Sequence, residues 1–482
     1  MTQSLVRNTS LCILLLVLCS VLANAQTAVV TRNVYVRSDP STANDPIVKL
    51  TPGNQIQLLD PGDVSGFYHV RTSDGRTGYV WSRNVRVLSA DATGNGGGPV
   101  PLLDSTHPVD WWFVFKFNSA AFPGCGNAAV RSCRFGGTVQ DYNAFGQRYV
   151  VASNQSPSLK LGLNCVGDTT DDPIGATFDE IYNHPLNYIV WNDQFYRDPA
   201  IQGCGESCSA PWGHSKGVVA WNDNGNGVVM QVTTPSWPAA GNSGHPRVSD
   251  GNTLGCIADN DVKVSQHFFA LKLIKPDLLK LLSALQNASI VTDVNNSQVV
   301  HNGGPQDIQV LVRQLGTKSS STTVTDDILS SGVELISKPS KLNVPPWQLV
   351  SATLGGISLR TATWWSNPEI PSTTTSTTIA CWDDALTAPG AVEVATSGHW
   401  NDTVFGLTGG PGKDFNHAKI GVATTGSKPL VIFGDMNQQG TLSGPSCASS
   451  QNGRGGLFFV VENSQLAASV KELLTGNTAP AH

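Results

Sequence analysis

Short runs in which apolar and polar positions alternate fill residues 28–88: N-V-Y-V-R-S (33–38), I-V-K-L-T-P-G (47–53), F-Y-H-V-R (67–71) and T-G-Y-V-W (77–81). D-P, P-G and D-G turns separate them. Period-two runs of this length with such punctuation predict a small all-β barrel. A Gly-rich stretch at Ala90–Pro101 offers little to pack and predicts a linker over 89–106.

Beyond the linker one order of patterns comes twice. In 107–288, G-H-S-K-G-V-V-A-W (213–221) is a strand that turns at N-D-N-G-N-G (222–227) and returns as V-V-M-Q-V. Cys256, the run H-F-F-A-L-K-L (267–273) and the helical pattern from Pro276 follow. In 346–476, H-A-K-I-G-V-A (417–423) turns at T-G-S-K-P (425–429) and returns as L-V-I-F-G-D-M-N. Cys447, L-F-F-V-V (457–461) and a helix capped by Asn463 or Ser464 and ended by Gly476 complete it. Each half therefore reads strand, hairpin, strand, Cys-bearing loop, Phe-Phe strand, helix. The polar stretch 289–345 reads as a connection or insertion, and P-S-T-T-T-S-T-T (371–378) as a loop or edge strand.

Composition fits this picture and narrows it. With 482 residues, 40% hydrophobic, 14% charged, 48 Gly and 28 Pro, the chain is globular and rich in turns. The formal charge of −6 lacks the strongly basic balance of many nucleic-acid binders, so any polyanion site must be local. Arg7, the apolar run Leu11–Leu22 and Ala23-Asn24-Ala25 form an export signal over 1–25, cleaved after Ala25. That run is short of the ~20 residues a spanning helix needs, so no stable membrane insertion is expected, and the protein should be secreted or periplasmic. Eight cysteines remain after cleavage, an even count that predicts disulfides. Cys204-Gly-Glu-Ser-Cys208 has no second pair to complete a metal site and reads as a small bridged loop.

The repeated His-x-Lys is the candidate chemistry. Residues two apart on a strand share a face, so His214 with Lys216, and His417 with Lys419, would project together. If the halves pair about a pseudo-twofold axis, two imidazoles and two ammonium groups meet in one cleft. Lysines can neutralise a phosphodiester while one histidine attacks and the other protonates the leaving oxygen. One H-x-K is weak, being most often a solvated face; two at matching places are far stronger. No metal ligand set or cofactor is expected.

Two resemblances follow from these blocks. The N-x-x-V-R start and G-Y-V near the end of 28–88 resemble bacterial SH3-like domains, which implies a cell-wall or peptide ligand. P-V-D-W-W-F-V-F-K-F (108–117), G-H-S-K-G-V (213–218), H-A-K (417–419), G-D-M-N-Q-Q-G (434–440) and N-G-R-G-G (452–456) together resemble deoxyribonuclease II. That likeness implies an α/β phospholipase D-like pseudo-dimer of two sheet-plus-helix halves. It further implies an acid-active, metal-independent endonuclease acting on DNA, with a phosphohistidine intermediate, 3′-phosphate and 5′-hydroxyl products. His214, Lys216, His417 and Lys419 match its half-motifs. Asp435 and Asn437 would orient His417 and a phosphate oxygen, and Gln231 would partner His214 or substrate.

Alternatives stay open. The chain could be a catalytically inert cell-wall binder, or the superfold could act on another phosphodiester such as a phospholipid. G-N-S-G-H-P (241–246) is similar to the nucleophile loop of trypsin-like proteases but lacks its Asp, so Ser243 reads as a loop residue. N-D-N-G-N-G is similar to a calcium loop, but Thr233 stands where the bidentate Glu belongs, so it reads as a hairpin turn.

Overall fold

The alternation at the N-terminus builds a sheet with one face inward. The computed structural model describes residues 27–30, 33–51, 54–87, 97–123, 148–163, 166–167, 170–182, 184–195, 201, 204, 207–235 and 263–481. The chain divides into two units, Met1–Ala90 and Asp91–His482. In the first, β1 (Thr27–Val30), β2 (Val34–Arg37), β3 (Pro46–Leu50), β4 (Gln55–Val64), β5 (Phe67–Thr72), β6 (Thr77–Trp81) and β7 (Val85–Val87) pair in the order β3-β2-β6-β5-β4-β1-β7. Val34 and Val36 are buried while Tyr35 between them is exposed, as period two demands. The four alternating runs correspond to β2, β3, β5 and β6; β1, β4 and β7 are additional.

The second unit holds two larger sheets. The first comprises β8 (Trp111–Lys116), β9 (Tyr149–Ser153), β10 (Ser156–Leu161), β11 (Asn187–Asn192), β12 (Lys216–Trp221), β13 (Gly227–Val232), β14 (Gln266–Leu273) and β15 (Val300–His301), in the order β10-β9-β8-β14-β13-β12-β11-β15. Helices α1 (Pro173–Tyr182), α2 (Lys275–Asn287) and α3 (Gln306–Val312) accompany it. The second sheet runs β16-β17-β24-β23-β22-β18-β19. Its strands are β16 (Thr325–Ile328), β17 (Glu334–Lys338), β18 (Leu359–Ala362), β19 (Val392–Val394), β22 (Ile420–Ala423), β23 (Leu430–Gly434) and β24 (Gly456–Glu462). Helices α4 (Pro346–Thr353) and α5 (Ser464–Leu473) and the small hairpin β20 (Ser397–Trp400)–β21 (Thr403–Gly406) complete the unit.

Five strands correspond between the sheets: β8-β14-β13-β12-β11 in one and β17-β24-β23-β22-β18 in the other, antiparallel throughout. Registers correspond too: Gln231 faces Phe269 where Phe433 faces Phe459, and Lys116 faces Gln266 where Lys338 faces Gly456. The two sheets share one core, in which Phe433 stacks on Phe113 at 4.4 Å and on Phe269 at 4.6 Å. Strands β8, β11, β12 and β13 are buried at every position, which is why they read as continuous apolar runs rather than alternations.

Several expectations change. The stretch 289–345, expected as a connection or insertion, contributes β17, whose E-L-I-S-K ladders directly onto β24. The end of the expected linker packs: a Cβ on Gly98 would lie 2.1 Å from the Asn226 carbonyl, and the Leu102 N–H donates to Thr177 Oγ1. Within 371–378, Ser372 and Thr373 are buried and bridge Ala481 and Val392. The N-D-N-G-N-G segment is the β12–β13 turn, with Gly225 at φ +83°. Asn463 caps α5 through its side chain, accepting from the Leu466 N–H. Cys204–Cys208 is bridged as expected, and Cys381–Cys447 forms a second disulfide. The export signal and Ser243 lie outside the described residues. Among those described, no helix is long and apolar enough to cross a membrane.

Candidate active site

Neither histidine sits on a strand. β12 begins at Lys216 and β22 at Ile420, so His214, His417 and Lys419 occupy the approaches. What holds these approaches is the other half of the unit. The His214 N–H donates to the Gly455 carbonyl, and the His417 N–H to the Ser265 carbonyl, each at 2.8 Å. Gly213 and Gly455 both press against the Ala288 carbonyl, where a Cβ would lie 2.6 and 2.1 Å from the oxygen. That close approach requires glycine in G-H-S-K and R-G-G.

Both histidines line one cavity of about 270 Å³, together with Asp193, Gln194, Ser207, Thr233, Trp364, Lys419, Asn437, Gln439, Gln451 and Arg454. Their ring nitrogens differ. His214 Nδ1 lies 2.8 Å from the Asp435 backbone carbonyl, an acceptor only, so Nδ1 carries the hydrogen and the neutral ring keeps its lone pair on Nε2. Opposite Nδ1 of His417, at 3.4 Å, is Gln266 Nε2. Gln266 Oε1 lies 2.6 Å from the Thr233 hydroxyl, which accepts from the His267 N–H at 2.9 Å and has the His267 carbonyl at 3.2 Å as a second acceptor. A donor facing Nδ1 of His417 would put that ring's hydrogen on Nε2. The two imidazoles thus meet unlike partners at Nδ1, a backbone carbonyl at His214 and a side-chain amide at His417.

The lysines also differ. Lys216 is buried and its Nζ lies 2.6 Å from Asp193 Oδ1, while Arg454 donates to Asp193 Oδ2 at 2.8 Å and to the Gly213 carbonyl at 2.7 Å. Lys419 Nζ donates to the His417 carbonyl at 2.6 Å. Lys216 closes a Lys216–Asp193–Arg454 triad and is not among the residues lining the cavity, while its charge bears on His214 and His417. Burial pushes the Asp193 carboxyl up, but Lys216 and Arg454 outweigh it and hold the group well below its ordinary range. Burial, then Lys216, keeps His214 well below the usual histidine value; burial, then Lys419 and Lys216, does the same to His417. Lys419 is lowered by burial and then by Lys216.

Asp435 and Asn437 lie just past the end of β23 rather than on it. Asp435 serves His214, not His417, and does so through its backbone. Its carboxylate accepts from Gln231 Nε2 at 3.0 Å and from the Leu457 N–H at 2.9 Å. Burial lifts that carboxyl to about 7 against those donors and Ser215. Gln231 is 1% exposed, bonds to Asp435 and is not among the residues lining the cavity. Asn437 lines the cavity, and its buried Oδ1 has no hydrogen-bond partner among the described residues.

Asp193, Arg454, Gln266, Thr233 and Trp364 carried no role in the sequence reading. Asp193 had a signal, a lone carboxylate ending the apolar run Y-I-V-W-N, and Arg454 stood inside N-G-R-G-G. The position matching Asp193, found by continuing the β18–β22 register, is Trp364, whose ring meets His417 edge-on at 4.2 Å. A buried carboxylate at this position in one half and an indole in the other make the two motifs chemically unequal.

The family model for deoxyribonuclease II matches residues 102–478. The chain belongs to the deoxyribonuclease II family. A second model, the bacterial SH3 domain, matches residues 32–86. A search of the curated proteins finds no match to the chain. Membership in the deoxyribonuclease II family supports a deoxyribonuclease-type function, with the cavity between the two H-x-K approaches as its candidate active site.

Proposed function

We propose that this deoxyribonuclease II family member is an exported acid endonuclease that cuts DNA without a metal, leaving 3′-phosphate and 5′-hydroxyl ends. The corresponding five-strand sheets favour a phospholipase D-like pseudo-dimer as its fold. The observation that supports the mechanism is that two imidazoles with unlike Nδ1 partners line one cavity, which we read as opposite tautomers. His214 Nε2, with its lone pair, attacks phosphorus; the P–O5′ bond breaks as His417, in its imidazolium form, delivers the Nε2 proton to O5′. Water then attacks the phosphohistidine, neutral His417 takes its proton, and the P–N bond breaks to release the 3′-phosphate. Lys419 and Arg454 supply positive charge at the cavity. The SH3-like unit is assigned a cell-wall or peptide ligand.

The pH dependence follows by sign. His417 must be protonated to act as acid, and its lowered pKa confines that form to acid solution. A donor against Nδ1 opposes a second proton in the same direction. Cleavage should therefore fall as pH rises out of the acid range and the acid loses its proton, and fall again at lower pH once both imidazoles are protonated. Plasmid nicking in EDTA from about pH 4 to 8 tests this. A rate climbing steadily to the alkaline end, or one restored only by magnesium, would refute the proposal.

Asp435 offers a sharper discrimination. Its carboxyl is raised to about 7, hence protonated where the enzyme is proposed to work, and the His214 contact comes from its carbonyl. Asp435→Asn is expected to slow cleavage at acid pH by less than about tenfold. Where a carboxylate itself orients the histidine, the same change costs ~10⁴-fold. A loss of that size would move the orienting role to the side chain.

A further inference from the structure

Two fully buried lysines lie outside the H-x-K motifs. Lys116 ends β8 and Lys338 ends β17, the corresponding strands of the two sheets, and each is 0% exposed. Lys116 Nζ donates to the Val264 carbonyl at 2.7 Å. Lys338 Nζ donates to the Arg454 carbonyl at 2.7 Å and to that of Asn452 at 2.8 Å. By the paired registers Val264 and Arg454 are equivalent, each two residues before the first residue of its Phe-Phe strand. The next carbonyl along, of Ser265 or Gly455, is the one that receives the histidine N–H of the opposite half.

We propose that Lys116 and Lys338 are a duplicated pair of positioning residues, each fixing the strand-entry segment from which the other half's histidine is hung. The reason is geometric. A peptide whose carbonyl is tied inward to an ammonium has its successor turned outward, and in both copies the successor meets a histidine backbone. Lys338 thereby sets His214 and, through the Arg454 backbone, the guanidinium on Asp193; Lys116 sets His417. Methionine fills either space but leaves its carbonyl untied. Burial lowers the Lys338 ammonium to about 7, so it is charged in the acid range.

This inference rests on the two-histidine reading, and the test separates their failures. Lys338→Met and Lys116→Met are compared with the wild type on DNA and on a thymidine 3′-(4-nitrophenyl phosphate), whose leaving group departs without a proton. Displacements of about 1 Å cost ~10²-fold, so each variant should lose about that much kcat on DNA with little change in KM. The nitrophenolate burst divides them: Lys338→Met should slow it by a similar factor, and Lys116→Met should leave it intact. A wild type that cuts no DNA sinks the two-histidine reading itself. An active wild type with both variants at full kcat, or with the burst slowed equally in both, overturns the positioning roles. Lys→Gln at each position, retaining a donor, reads the same split if Met disturbs folding. Failure of all four variants to fold would assign the lysines to stability alone and also overturn the proposal.

Discussion

Replacing His214 with Ala is expected to abolish turnover of DNA and of the nitrophenyl ester alike, whereas His417→Ala should abolish the first and leave a single burst on the second. The nucleophile's loss removes the covalent path for any leaving group. General acid catalysis is worth ~10²–10⁴-fold, and a nitrophenolate does not need it. In His417→Ala the second step also lacks its base, so phosphorus should accumulate on His214 in an acid-labile, base-stable form. Mass spectrometry of the quenched variant reads this directly. If the label appears on His417 in the wild type, or if His214→Ala gives the burst, the roles are reversed. The structural ground for the assignment is the acceptor at His214 Nδ1 and the donor at His417 Nδ1. These distances bind the two rings to different halves of the same unit.

Removing the Asp193 carboxylate is expected to have the largest effect on stability. Lys216 and Arg454 converge on it in a site where Asp193 is 1% exposed, and the Cys208 N–H of the bridged loop donates to its backbone carbonyl at 2.7 Å. Breaking a buried ion pair from one side costs about 3–5 kcal/mol, because the partner charges stay buried and unpaired. Asp193→Ala should lose about that much in urea unfolding near neutral pH. The pH linkage has a definite sign. The folded pKa is depressed below the ordinary 3.8, so this contribution is present above the unfolded value and is lost only as pH falls through the lower folded one. An acid-working protein keeps it through its proposed operating range. A variant within about 1 kcal/mol of wild type would mean the triad contributes little net.

Much of the second unit was legible before any coordinates. The hairpins β12–β13 and β22–β23, the strands β14 and β24, and the helices α2 and α5 announce themselves through local pattern: Val-rich runs, Gly- and Asn-bearing turns, a proline or an asparagine at a helix start. The strand β17 did not, because E-L-I-S-K is short and flanked by Ser, Thr and Asn; only its pairing with β24 makes it part of a sheet. Reasoning from strand periodicity put His214 beside Lys216, yet the histidine precedes the strand, where period two no longer governs the side chain.

The sequence by itself determined which groups exist and that they come in two copies: the H-x-K motifs, the G-D-M-N block, the order of elements, the short bridge Cys204–Cys208. These are local properties, set within a few residues. Tertiary structure decided which group serves which. His214 meets Asp435 across 221 positions of chain, and Asp193 meets Arg454 across 261. It also set the unlike Nδ1 partners of the two histidines, the Asp193-bound lysine of one half and the cavity-lining lysine of the other. Such pairings depend on how two sheets share one aromatic core, and no spacing along the chain encodes a contact made by packing.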